Sequence, residues 1–171
     1  IIESNQDFAG IVCFNGAHFG ILCKIYDGKP VISAEVWSEY NNENICNDAF
    51  IEIDTTTNDE WRTITLNYKK NSKISIKTTE GSVEKEIQGT MLDYSNAYLW
   101  VGCCDNHKPT PPEYQGNWYG QIKSIKITGN NKKFLDYDFK KKTRYKIYDK
   151  SGSGNHLISK HLNEDGEVII F

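Results

Sequence analysis

Residues Tyr98–Thr128 read YLWVGCCDNHKPTPPEYQGNWYGQIKSIKIT and contain two strand-like runs on either side of a long irregular segment. The run Tyr98–Cys104 is too short, and too rich in aromatic and β-branched residues, for a helix. In Ile122–Ile127, apolar and polar residues alternate as on a half-buried strand. The segment between them, Asp105–Gly120, holds three of the chain's four prolines. Because long loops in compact domains are more often functional than not, we predict that this loop lies at the rim of a β-sandwich and contributes to a recognition surface.

The rest of the chain consists of short β-type runs separated by turn residues, which is the pattern of a sandwich or a barrel. Asn15-Gly16 predicts a hairpin, and Asp27–Pro30 predicts a second turn. The polar tract Ser38–Asp48 predicts a loop. The pattern therefore predicts an all-β fold, an antiparallel two-sheet β-sandwich, in a single domain over residues 1–171. Strands are predicted at Gly10–Phe14, Phe19–Tyr26, Val31–Trp37, Ala49–Asp54, Trp61–Tyr68, Lys73–Thr78, Ser82–Ile87, Phe134–Phe139, Arg144–Tyr148 and Val168–Phe171.

The composition argues against several classes of partner. A formal net charge of -3 over 171 residues does not suit a nucleic-acid binder, which would need a basic face. The basic run Lys140–Lys142 is interpreted as a solvated turn. No apolar run approaches the roughly 20 residues that cross a bilayer, so no membrane insertion is predicted. The chain begins with Ile1 rather than methionine, and we expect it to be part of a larger protein.

Two residue types are expected in the core. Five cysteines are an odd number and show no C-x-x-C spacing for zinc, so we interpret them as small buried hydrophobic residues. Trp61 and Trp100 are also predicted to lie in the core. The cysteines are Cys13, Cys23, Cys46, Cys103 and Cys104.

Several segments together resemble the laminin-G-like, concanavalin-A-like lectin and glucanase superfamily, in its bacterial or phage form. They are the strand Trp61–Leu66, the strand Lys73–Thr78, the run Leu99–Gly102 (LWVG) and Trp118–Ile127 (WYGQIKSIKI). The turn Asp149–His156 (DKSGSGNH) resembles one that follows the opening strand in that superfamily. Here it lies near the end of the chain, so the resemblance implies either a circular permutation or a sheet whose usual first strand is absent.

The resemblance implies a jelly roll and a lectin-like function, namely recognition of a glycan or cell-surface ligand without catalysis. It implies a location on a virion or at the cell surface, as in a phage tail fibre or bacterial surface protein, with homo-oligomers formed through the parent protein. The alternative is a structural or assembly domain that binds no sugar. A glycoside hydrolase is a third interpretation, but Glu52-Ile53-Asp54 and Glu84-Lys85-Glu86 do not form the paired carboxylates that this reaction needs. We therefore predict that the chain is not an enzyme.

The predicted ligand site combines aromatic and polar side chains. Aromatic rings stack on the apolar face of a sugar, while Asn, Asp and His side chains bond its hydroxyl groups. The long loop offers this mixture, and the tract Ser38–Asp48 adds residues from a neighbouring edge. The predicted ligand-binding residues are Trp118, Tyr114, Asp105, Asn106, His107, Asn117, Tyr40 and Asn42.

Calcium is the candidate cofactor. Many proteins of the resembled superfamily hold a calcium ion at the edge of the sandwich, and this hard cation prefers oxygen ligands. The predicted metal ligands are Asp105, Asp149 and Asn155. The other interpretation, which we favour, is that Asp149 and Asn155 hydrogen-bond the backbone of a glycine-rich turn.

Overall fold

The computed structural model describes residues 8–14, 18–53, 60–93, 99–102, 121–129, 131–140 and 146–158. The described residues form β-strands and turns, all paired strands are antiparallel, and none of these residues forms a helix long and apolar enough to span a membrane. The prediction of an all-β, antiparallel fold is confirmed. The chain divides into two compact units, Ile1–Tyr119 and Gly120–Phe171, and each is described by itself. This division does not test the single-domain prediction, which stays a prediction.

The first unit contains two antiparallel sheets. A six-stranded sheet has the order β4-β3-β2-β1-β9, with β8 paired to β3, and a three-stranded sheet has the order β5-β6-β7. The strands in chain order are β1 (Phe8–Phe14), β2 (Phe19–Tyr26), β3 (Lys29–Tyr40), β4 (Glu43–Glu52), β5 (Thr65–Lys69), β6 (Lys73–Lys77), β7 (Ser82–Glu86), β8 (Thr90–Met91) and β9 (Leu99–Val101).

Alternation along the strands builds the core between these two sheets. Ile32, Ala34 and Val36 of β3 share one face of the six-stranded sheet, and they pack in one cluster with Ile74 and Ile76 of β6. Burying an isoleucine side chain fully contributes about 1.5–3 kcal/mol, so this cluster is a main source of stability. We call this side of the six-stranded sheet its first face. The opposite side, its second face, carries the alternate residues of each strand. The β3 residues on the second face are also mostly buried.

The polar tract between β3 and β4 is a tight hairpin, not the predicted loop. Asn41 and Asn42 have φ of 52° and 62°, and Tyr40 pairs directly with Glu43. Asparagine tolerates this left-handed conformation, and a two-residue turn with positive φ matches the twist of a hairpin. The prediction of a loop over 38–48 was wrong because the polar residues of the tract belong to the ladder. The predicted turn at Asp27-Gly28 is confirmed.

An ion pair fixes the connection between β6 and β7. Arg62 Nε lies 2.7 Å from Glu80 Oε1, and Thr79 Oγ1 donates to Glu80 Oε2 at 2.9 Å. Burial alone would raise the pKa of Glu80, but hydrogen bonds from Thr78, Thr79 and Arg62 outweigh it and hold the pKa at about 2. Glu80 is therefore ionised over almost the whole pH range in which proteins fold.

The described residues of the second unit form two short antiparallel strand pairs. The predicted strands around Ile125 and Tyr137 are confirmed as a hairpin, and the two short strands that follow pair with each other. The predicted strand Val168–Phe171 lies outside the described residues. The strands are β10 (Ser124–Gly129), β11 (Lys132–Asp138), β12 (Lys146–Ile147) and β13 (Leu157–Ile158).

Several core predictions need correction. Trp61 is 57% exposed, because it precedes β5 and strand alternation does not direct it inward. Trp100 is half-buried and packs against a buried cluster that includes Cys13. Cys13 and Cys23 are buried, as predicted, but Cys46 is exposed. The remaining two cysteines lie outside the described residues.

Candidate functional site

Most of the predicted ligand-binding residues lie outside the part of the chain that the structure describes. Tyr40 and Asn42 are described, and both are exposed at the β3–β4 turn. Their role in binding stays a prediction, as does that of the long loop. The predicted residues outside the described part are Asp105, Asn106, His107, Tyr114, Asn117 and Trp118.

Three ionisable side chains meet on the second face of the six-stranded sheet. They come from three neighbouring strands, Lys24 from β2, Glu35 from β3 and Asp48 from β4, and Glu35 lies directly opposite Asp48 in the β3–β4 register. The Lys24 ammonium lies 2.7 Å from Glu35 Oε1 and 2.8 Å from Asp48 Oδ2. One cation therefore holds two carboxylates in place across three strands.

Further donors complete the cluster. Ser33 Oγ donates to Glu35 Oε1 at 3.0 Å, and the Cys46 thiol donates to Glu35 Oε2 at 3.6 Å. Lys85 of β7 reaches Asp48 Oδ1 at 3.3 Å. Every carboxylate oxygen of Glu35 and Asp48 thus faces at least one donor.

These contacts set the charge states. Burial would lower the pKa of Lys24, but Glu35 and Asp48 outweigh it and raise the pKa. Burial would likewise raise the pKa of Asp48, but Lys24 and Lys85 lower it. Lys24 and Asp48 are therefore both ionised at neutral pH. Cys46 is exposed as a residue, but its thiol is partly enclosed where it contacts Glu35. This enclosure, followed by the charges of Glu35 and Asp48, raises the pKa of Cys46 to about 12, so Cys46 is a poor nucleophile.

An aromatic pair lies on the same face of the sheet. Tyr26 follows Lys24 by two residues on β2, and Phe50 follows Asp48 by two residues on β4, so the alternation of strands places all four on the second face. The two rings have centroids 4.5 Å apart and an interplanar angle of 38°. We call Lys24, Tyr26, Glu35, Asp48 and Phe50 the polar–aromatic site.

Exposure increases from one end of this site to the other. Glu35 is buried, Lys24 and Asp48 have side chains about one-fifth exposed, and Tyr26 is 47% exposed. A ligand can therefore reach the Tyr26 ring, the Lys24 ammonium and the Asp48 carboxylate. The buried Glu35 carboxyl group fixes the position of the Lys24 ammonium. The arrangement offers an apolar surface beside hydrogen-bond donors and acceptors, which is what recognition of a polyhydroxylated ligand needs.

In the second unit, Asp149 organises the turn that resembles the superfamily motif. Its Oδ1 accepts from the backbone N–H of Asp136 and of Ser151, both at 2.9 Å. Its Oδ2 accepts from the Ser151 hydroxyl at 2.7 Å and from the backbone N–H of Asn155 at 3.3 Å. Burial would raise the pKa of Asp149, but these hydrogen bonds outweigh it and lower the pKa.

This geometry bears on the calcium prediction. An ionised carboxylate has about four acceptor sites, and in Asp149 four donors face them. Within the described residues, no group of three or more His, Cys, Asp or Glu side chains is arranged to hold a metal ion. This arrangement supports the interpretation that Asp149 stabilises the backbone of the turn, and calcium at Asp149 and Asn155 stays a prediction. Calcium at Asp105 stays a prediction, since that residue lies outside the described part.

Comparisons of this chain with protein-family models, with curated proteins and with solved structures give no match. The resemblance to laminin-G-like and concanavalin-A-like domains therefore stays a prediction carried by its sequence motifs.

Sequence reasoning missed the polar–aromatic site, although a signal for it is present. Glu35 is the one charged residue in the run VISAEVW, and a charge within a strand that is otherwise apolar needs a partner. The Asn41-Asn42 turn would have supplied the partner, because counting outward from a two-residue turn places Glu35 opposite Asp48.

Proposed function

We propose that this chain is a non-catalytic, lectin-like module that recognises a glycan or a cell-surface ligand. The observation that carries the proposal is the polar–aromatic site, in which the Tyr26–Phe50 pair lies beside the ion-paired Lys24 and Asp48 on one sheet face. Sugar recognition needs this combination, because rings contact the apolar C–H surface while charged groups bond hydroxyls. The predicted long loop around Trp118 is a second candidate for contact with the ligand.

We also propose a setting for the module. The chain is a single jelly-roll domain of the concanavalin-A-like type over residues 1–171, within a larger protein on a virion or at the cell surface. A phage tail fibre or a bacterial surface protein fits this setting, and homo-oligomers form through that parent protein. The support is the sequence resemblance together with the antiparallel all-β architecture. Fold resemblance alone does not determine function, so the binding proposal depends on the site.

The hydrolase alternative has to be weighed against Glu35 and Asp48. Both carboxylates bond the same ammonium, so they lie close together, and a retaining glycosidase needs two carboxyl groups about 5 Å apart. Such an enzyme also needs one carboxyl group whose pKa is raised, so that it can act as the acid. Instead, the pKa of Asp48 is lowered and Lys24 lies between the two groups. The lowered pKa of Asp48 and the ammonium between the two groups therefore favour binding over hydrolysis.

The proposal is tested by applying the purified full chain to a glycan array. We expect binding to a restricted set of glycans. A cooperative thermal transition verifies that the chain is folded. If the folded wild-type chain binds no glycan on the array, the lectin function is overturned and the assembly alternative is favoured. A Trp118→Ala variant on the same array measures how much the predicted loop contributes.

A further inference from the structure

We infer that the ligand of the polar–aromatic site is a neutral sugar ring that presents two adjacent hydroxyl groups. The inference rests on the proposed function and names the class of glycan. Three properties of the site lead to it, namely its charge balance, its remaining hydrogen-bonding capacity and the position of its exposed ring.

The charges of the site compensate each other. The ammonium groups of Lys24 and Lys85 face the carboxylates of Glu35 and Asp48, with contacts between 2.7 and 3.3 Å. An anionic ligand, such as a sialylated, uronate or sulfated sugar, would find no cation in this cluster that a carboxylate does not already neutralise. It would also approach Asp48, whose negative charge repels it. The cluster therefore disfavours acidic glycans and suits a neutral one.

The paired groups retain capacity for hydroxyl groups. An ammonium has three N–H donors, and Lys24 directs two of them to Glu35 and Asp48. The Asp48 oxygens each take one lysine contact, and each carboxylate oxygen has about two acceptor sites. One hydroxyl can thus accept from Lys24 while its neighbour donates to Asp48. Because Lys24 Nζ and Asp48 Oδ2 are 2.8 Å apart, two hydroxyls on adjacent carbons fit this pair.

The aromatic pair supplies the surface for the sugar ring. Tyr26 and Lys24 lie two residues apart on β2, a separation of roughly 6.5 Å along the strand. A sugar ring stacked on Tyr26 therefore brings its hydroxyl-bearing edge to the Lys24 ammonium and the Asp48 carboxylate. Phe50 supports Tyr26 from β4 and fixes its position, because the two ring centroids are 4.5 Å apart. Stacking on a preformed aromatic surface requires little ordering on binding.

The test compares variants of the full chain on neutral and acidic glycans. The probes are oligosaccharides ending in glucose, galactose or mannose, and the same cores carrying sialic acid, uronate or sulfate. The variants are Tyr26→Ala, Tyr26→Phe and the isosteric Asp48→Asn. Tyr148→Ala is the matched control, since Tyr148 is 48% exposed and Tyr26 is 47% exposed, but Tyr148 lies in the second unit. Affinities come from titration, and a thermal midpoint for each variant verifies folding.

We expect the wild type to bind at least one neutral glycan more tightly than its acidic derivatives. Tyr26→Ala should weaken this binding by about two- to tenfold, while Tyr26→Phe retains it. Asp48→Asn should weaken it by about tenfold, and Tyr148→Ala should have no effect. Tighter binding to acidic glycans, or neutral binding that is insensitive to both Tyr26→Ala and Asp48→Asn, overturns this inference but leaves glycan recognition in place. If the wild type binds none of the glycans, the proposed function itself is overturned.

Discussion

Replacing Lys24 with methionine is expected to destabilise the chain by about 2–3 kcal/mol, because it leaves the Glu35 carboxylate buried without a cation. Removing one partner of a fully buried ion pair costs about 3–5 kcal/mol. The Lys24 and Glu35 side chains are 19% and 9% exposed, so some solvent remains and the expected cost lies at or below the lower end of that range, at about 2–3 kcal/mol. Asp48 loses the same partner but keeps Lys85. Methionine preserves most of the apolar stem of lysine, so the change chiefly reports the charge.

The same sheet contains a matched control. Lys29 of β3 pairs with Glu52 of β4 at 2.8 Å, and both side chains are 61% exposed. Solvent screens an exposed ion pair almost completely, so Lys29→Met should leave the free energy of unfolding nearly unchanged. Both variants replace a lysine with methionine on the same sheet, and they differ mainly in the burial of the pair.

Urea denaturation of the wild type and both variants measures these free energies, provided that the slope against urea concentration is unchanged. A double variant, Lys24→Met with Glu35→Gln, should recover at least half of the loss, because it no longer buries an uncompensated charge at Glu35. Equal destabilisation by Lys24→Met and Lys29→Met would refute the reasoning. It would show that solvent screens the Lys24 cluster as well as it screens a surface pair.

Three further predictions concern ionisation and metal binding. Because the pKa of Glu80 is lowered from its usual 4.5 to about 2, its stabilising contribution is complete above pH 4.5 and is lost as the pH falls towards 2. In urea titrations, the wild type should therefore lose more free energy of unfolding over this pH interval than Glu80→Gln does. Equal pH dependence of the free energy of unfolding in the two proteins would contradict this prediction. Cys46, whose pKa is raised to about 12, should react with iodoacetamide at pH 8 at least about a hundredfold more slowly than glutathione does. Peptide mapping measures this rate. A rate comparable to that of glutathione would show that the Cys46 thiol does not have the contacts described above. Any effect of millimolar Ca²⁺ on the thermal midpoint should be the same in the wild type and in Asp149→Asn, because hydrogen bonds already fill that carboxylate; a rise confined to the wild type would instead support calcium at Asp149.

The hairpins could be predicted where a turn dipeptide interrupts an alternating run. Asp27-Gly28 correctly separated β2 from β3, since glycine and aspartate favour a turn irrespective of the rest of the chain. Asn41-Asn42 was missed because polar residues surround it, so that the whole tract 38–48 has the composition of a loop. Two consecutive asparagines with positive φ can form the turn of a hairpin between polar strands. The composition of the segment alone does not distinguish such a turn from a loop.

The candidate site was harder to predict, because it depends on the register of three strands. Lys24, Glu35 and Asp48 are 11 to 24 residues apart in the chain, and no motif links them. Their proximity follows only after both turns are assigned, since a shift of one residue in either hairpin would move a side chain to the other face. The aromatic partners Tyr26 and Phe50 depend on the same register. By contrast, the predicted loop site was suggested by composition.

The presence of this cluster is not explained by stability. Replacing a buried ion pair with well-packed apolar residues is often neutral or stabilising, and the first face of the same strands is built from isoleucine, alanine and valine. By that rule, leucine or valine at Lys24, Glu35 and Asp48 would continue the apolar pattern without a large loss of stability. A cluster that places two carboxyl groups around one ammonium, next to an exposed tyrosine, retains polar groups where the fold does not require them. Recognition of a polar ligand is a use that accounts for both the charges and the ring beside them.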